Sequence, residues 1–186
     1  MDELKSAWEI AEQRASRLGR LSAEEQQQQE RDRCHQIGRV LAGKWLDGSE
    51  RLDLPAELGR HGEEDRALVK HAVIEHLIEA IDPSAADNAA RVTRAIAGIE
   101  SLAPELQPKM DEMRRLLHEY AEVERRARQE MENTCHERLH RLRISGTAVA
   151  GINLDATEEW QAAQRRLAET FAARFDGLKR DLATTV

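Results

Sequence analysis

His136, Glu137, Arg138, Leu139 and His140 satisfy the pattern H-E-x-x-H. Two histidines four apart on a helix present both imidazoles to one zinc ion, and the glutamate deprotonates the water bound there. That is the chemistry of a zinc-dependent hydrolase. The neighbouring residues oppose it. Arg138 lies inside the motif, Arg141 and Arg143 follow it and Arg128 precedes it. Guanidinium groups beside Zn²⁺ set positive charge against positive charge. No further Glu or His stands downstream at the spacing such enzymes use. The hydrolase is therefore the alternative reading, and the expectation is a chain with no cofactor.

Other chemistry-bearing patterns are weaker. Cys34-His35 and Cys135-His136 are both Cys-His dipeptides. If two helices cross there, Cys34, Cys135 and His136 or His140 supply tetrahedral metal ligands. Both cysteines also fall on apolar stripes, where a free cysteine packs as a small hydrophobe. Residues 38–44 imitate a phosphate-binding loop, but Trp45 stands where the Mg²⁺-binding hydroxyl belongs and no strand precedes it. Gly38 and Gly43 read instead as points of close helix packing. His71 and His76, five apart, do not share a helix face.

The element that must position the H-E-x-x-H pattern is a helix over 108–143. It has no internal Gly or Pro and would be roughly 50 Å long. Leu116, Tyr120, Val123, Ala127, Met131, Cys135, Leu139 and Leu142 recur at threes and fours, an apolar seam. Steps of four outnumber steps of three, which implies loose winding rather than a regular coiled coil. A helix this long needs a partner along its length. The segment 157–182 supplies one, with Trp160, Ala163, Leu167, Phe171, Phe175, Leu178 and Leu182 on one stripe. Asp155 with Glu158 resembles a capping box, and Thr157 competes as the cap. The two helices make an antiparallel hairpin whose tip, 144–155, is long for such a connection.

Upstream, Leu4, Ala7, Trp8, Ala11, Ala15 and Leu18 mark a narrow helical stripe over 3–18 that Gly19 ends. A lone Trp on an Ala-rich stripe suggests docking into a groove, on this chain or on a second copy. Ser22 and Glu25 form a capping box that opens a helix reaching Leu46. Its first half is polar all round, so one end packs and the other projects. Residues 47–62 carry Gly48, Pro55, Gly59 and Gly62 and read as a linker, with Leu52, Leu54 and Leu58 laid onto the core. An apolar helix over 63–81 ends before Pro83. A helix over 85–102 follows, striped by Ala89, Val92, Ile96 and Ile99. Pro104 and Pro108 punctuate the entry to the long helix.

The 186 residues are 40% hydrophobic, 34% charged and only 3% aromatic. Such a thin core suits elongated helices and makes a homo-oligomer the expectation. The net charge of -7 argues against nucleic acid, whose binders are basic. A factor using the Arg-rich hairpin face is the third and weakest reading. No apolar run is long enough to span a membrane, and the acidic opening has no secretory apolar core. Two cysteines make no disulfide framework. These features together predict a cytoplasmic protein.

Residues 5–25, KSAWEIAEQRASRLGRLSAEE, and 144–160, ISGTAVAGINLDATEEW, resemble a family of small bacterial all-helical proteins with no assigned function. The resemblance implies the fold class and brings no activity with it.

The expected architecture is all-α: an N-terminal helix in 1–21, a helical core over 22–103 and a long coiled-coil-like hairpin over 104–186, or one continuous domain. The expected function is non-enzymatic, an interaction, scaffold or assembly role with a protein partner. The partner-binding residues would be Thr147, Val149, Ile152 and Leu154 at the tip, with Trp8; the equal alternative is that the tip folds back and buries those side chains on its own hairpin or on the N-terminal helices.

Overall fold

A computed structural model of the protein describes residues 22–49, 52–83, 88–143 and 153–185. Among the described residues there are six α-helices and no strands. They are α1 (Ala23–Leu46), α2 (Leu54–Leu58), α3 (Glu63–Glu79), α4 (Ala89–Leu102), α5 (Gln107–Arg141) and α6 (Glu158–Ala183). Single 3₁₀ turns at Pro104–Leu106 and Leu154–Ala156 lead into α5 and α6. The helix expected over 3–18 lies outside the described residues.

The capping box of α1 is formed on both sides. The Ser22 hydroxyl accepts from the Glu25 backbone N–H at 3.1 Å, and Glu25 accepts from the Ser22 N–H at 2.7 Å. Only the second half of α1 carries buried residues: Cys34, Gly38, Ala42 and Leu46. Its polar first half is exposed, as the pattern predicts. The linker holds one element that the pattern missed. Asp53 caps α2 by accepting from the Ala56 N–H at 3.4 Å, and Pro55 sits in its first turn, where its missing N–H costs nothing. Leu54 and Leu58 are buried, as expected.

α1 and α3 run side by side in the same direction. Arg33 pairs with Asp65 at 3.1 Å, and one turn on Gly38 lies against Ala72. A Cβ placed at Gly38 would sit 2.6 Å from the Ala72 Cβ. Gly43 differs: nothing among the described residues lies within 4 Å of a Cβ built there. Of the two glycines read as packing points, only Gly38 is one. α4 returns across both helices. The Trp45 indole N–H donates to the Arg94 carbonyl at 2.7 Å, and Arg94 donates to the Leu46 carbonyl at 2.8 Å. α3 ends at Glu79, short of the expected 81, with Ile81 still buried. Leu68 and Ala89, assigned to apolar stripes by spacing, are exposed. They lie at the margins of helices whose central residues already fill the interface.

α5 and α6 pack with partner numbers falling as the other's rise. Lys109 donates to the Asp181 carbonyl, Arg174 holds Glu119 through both carboxylate oxygens at 2.7 Å, and Gln164 donates to Glu124 at 3.1 Å. The helices therefore run in opposite directions. Where they cross α3, Tyr120 meets Phe171 and Phe175 edge-on, with ring centroids 5.4 and 6.2 Å apart. Such edge contacts suit the ring quadrupoles, and burial pushes the Tyr120 phenol up. One hydrophobic cluster joins α1, α3 and α4 to α5 and α6, from Cys34 through Val73 and Ile99 to Phe175 and Leu182. No helix among the described residues is long and apolar enough to cross a membrane.

Candidate functional site

The core uses less than half of α5. Its buried residues are Met110, Met113, Leu116 and Tyr120, all in the first four turns. From 121 to 141 the helix runs on as an arm of about 30 Å with no fully buried side chain. Its seam continues as spaced: Ala127, Met131, Cys135 and Leu139 are half-buried, while Val123 and Leu142 are 37% and 69% exposed.

Along the arm, α6 and the turn before it meet Arg128 in a clamp. Asp155 receives both Nη groups of Arg128, at 2.9 and 3.2 Å. Arg128 also reaches Glu132 at 3.4 Å and lies over the Trp160 ring, 5.6 Å from its centroid. The cap competition in the sequence explains why Asp155 is available. Thr157 takes the cap, its hydroxyl accepting from the Trp160 N–H at 3.3 Å and donating to the Leu154 carbonyl at 2.7 Å. Asp155 is thereby released to hold the arginine. Two potential caps for one helix start were the available signal for this clamp.

The Arg128 hydrogen bond holds the Asp155 carboxyl below its ordinary range. A depressed folded-state pKa contributes stability above the unfolded value, and that contribution is lost as pH falls through the folded value. Asp155→Asn should therefore flatten part of the acid limb of a melting-temperature profile below about pH 4, with little change in its shape near neutrality. An acid limb identical to that of the parent chain would show that the pair contributes nothing there.

Leu154 is buried, with 1% of its surface exposed. Of the tip residues read as partner-binding it is the one within the described residues, and there it is a buried side chain of the turn before α6. Thr147, Val149 and Ile152 lie outside the described residues, as does Trp8. The metal candidates are placed as follows. His136 and His140 are both exposed and line an open depression on the arm with Glu137 and Arg141. Glu137 is paired with Arg141 at 3.4 Å. Among the described residues no third His, Cys, Asp or Glu joins the two histidines at ligand distance. Cys34 does not meet Cys135. It is fully buried against Asp65, in a group with Glu30, while Cys135 sits half-buried on the arm. That Glu30–Cys34–Asp65 group is tied up by Arg33, which pairs with both carboxylates. Burial, then the Asp65 charge, push the Cys34 thiol up, away from the thiolate a metal requires.

The family model of DUF6657, a family of unknown function, matches residues 55–184, from α2 to the end of α6. The chain belongs to DUF6657. Of the two stretches that carried the sequence resemblance, 144–160 lies within the DUF6657 match and 5–25 lies before it. No curated protein and no solved structure matches the chain. The match spans the clamp, the arm and the aromatic crossing alike, so these belong to the DUF6657 portion of the chain.

Proposed function

We propose that this protein is a non-enzymatic interaction or assembly factor whose protein partner engages the projecting arm of α5 and the tip beyond it, at Thr147, Val149 and Ile152. The observation that carries this reading is the seam past Arg128. Over residues 129–141, about 20 Å of helix, Met131, Cys135 and Leu139 keep their helical spacing and are only half-buried among the described residues. Apolar residues held out on a rigid helix, with anchors at threes and fours, are what a partner helix or groove reads. The clamp below them fixes the base of the arm, and rigid bases favour specific binding.

The test combines two measurements. Met131→Ser with Leu139→Ser, and separately Val149→Ser with Ile152→Ser, should lower melting by only a few degrees, the outcome for side chains that await a partner. Both should abolish recovery of the proteins that the parent chain retains from its native host. A fall of many degrees would place these side chains in internal packing. Undiminished recovery with both variants would remove the arm and tip from the interface.

A further inference from the structure

Two histidines from different helices approach one carboxylate oxygen. The Nε2 of His35 on α1 lies 3.7 Å from the Oε2 of Glu75 on α3, and the Nδ1 of His71, one turn before Glu75, lies 3.6 Å from the same oxygen. Both separations exceed a hydrogen bond. They come close instead to the gap between two ligand atoms on one tetrahedral ion, about 3.3 Å for metal bonds of about 2.0–2.1 Å. No Lys or Arg among the described residues is ion-paired with Glu75, so no cationic side chain competes for its carboxylate. The other metal-ligating groups differ. Arg33 takes both carboxylates beside Cys34, and Arg141 takes Glu137 beside His136 and His140.

We propose that His35, His71 and Glu75 hold a divalent ion of the zinc type that ties α1 to α3. Two imidazoles and one carboxylate are a sufficient set of three, with water in the fourth position. Imidazole selects zinc and its transition-metal neighbours over calcium and magnesium. As they stand, the three donors are not all within 4.8 Å of one another, so the rings must turn toward each other to share the ion. Both can turn: the His35 and His71 side chains are 57% and 46% exposed, and exposed side chains change rotamer within nanoseconds. His71 and Glu75 are four apart on α3 and share a face, so the turn is chiefly that of His35. The place in the fold gives the ion a structural role. Cys34 is the first buried residue of α1, so His35 stands where the polar, exposed half of that helix ends and its packing begins. An ion here fastens the two helices at the point where α1 leaves the core.

The test uses the full chain carrying His136→Ala and His140→Ala, stripped with a chelator and titrated with zinc chloride at neutral pH in a calorimeter. The expected result is one zinc ion per chain with micromolar affinity. At free zinc about twenty times the dissociation constant, Tm should rise by about 5 °C. His35→Ala, His71→Ala and Glu75→Gln should each weaken binding about tenfold or more and remove that rise. Their zinc-free melts should move by no more than a few degrees, as exposed substitutions do. His76→Ala, whose ring pairs with Glu79, should change neither readout. A titration with no binding heat and no melting shift overturns the proposal. So does zinc binding that all three substitutions leave intact, which places the ion elsewhere. Loss with His71→Ala but not with His35→Ala overturns it too, for the ion would then sit on α3 alone and tie nothing.

Discussion

Trp160→Ala is expected to lower the free energy of unfolding by about 3–5 kcal/mol. At this chain length that corresponds to a fall in Tm on the order of 10 °C. Trp160 is 1% exposed and is among the largest of the fully buried side chains. It stands at the first turn of α6, beneath Arg128. Removing it opens a cavity and strips the guanidinium of its aromatic support, a contribution of about 0.5–1 kcal/mol at a partly exposed site. Its indole Nε1 makes no hydrogen bond of ordinary geometry among the described residues, although the indole helps to hold the Asp155 carboxyl down after Arg128, so most of the ring's value lies in its volume. Trp160→Phe should therefore retain most of the stability, for it keeps most of the buried aromatic volume. Thermal melts of both variants are the check. Equal losses for Phe and Ala would mean that the indole N–H makes a bond of real worth, and a loss under 1 kcal/mol for Ala would mean that the clamp is not load-carrying for the fold.

The contrast between the two variants also shows how far residue spacing goes. The stripe on α6 placed Trp160, Phe171, Phe175, Leu178 and Leu182 correctly, because a helix that buries one face must repeat its apolar residues at threes and fours. The Ser22–Glu25 box was legible for the same reason: both partners are local, three residues apart. What spacing cannot report is which neighbour a face meets. The seam of α5 reads the same before and after Tyr120, yet its first part is core and its second part is arm. The difference lies in where α6 begins, a long-range matter. Leu154 shows the same limit: an apolar residue between two helices reads alike whether it awaits a partner or is buried in its own chain, as Leu154 is. The meeting of His35 with His71 and Glu75 was invisible to any local pattern, since α1 supplies one ring and α3 the rest.

Gly38 and Gly43 carry the same lesson to its sharpest measurable form, because they share α1 and differ only in what lies opposite. In an isolated helix, Gly→Ala at either position gains up to about 1 kcal/mol from reduced unfolded-chain freedom. At Gly43 nothing among the described residues stands within 4 Å of the added Cβ, so that gain should appear in full and Tm should rise by about 2 °C. At Gly38 the added Cβ meets the Ala72 Cβ at 2.6 Å and the backbone of Val69 and Val73 at 3.0 Å. Backbone cannot rotate away, so α1 must separate from α3 along the Cys34–Leu46 seam. Overpacking of this kind costs about 1–3 kcal/mol and outweighs the propensity gain. Gly38→Leu, which drives three more carbons into the same gap, should cost about 3 kcal/mol or more. The pairing can be isolated with a double-mutant cycle. Ala72→Gly removes the nearest of the three contacts and should restore part of what Gly38→Ala loses, leaving the portion due to Val69 and Val73. If Gly38→Ala stabilises the chain as much as Gly43→Ala does, α1 and α3 are not in backbone contact there and their parallel packing is wrong.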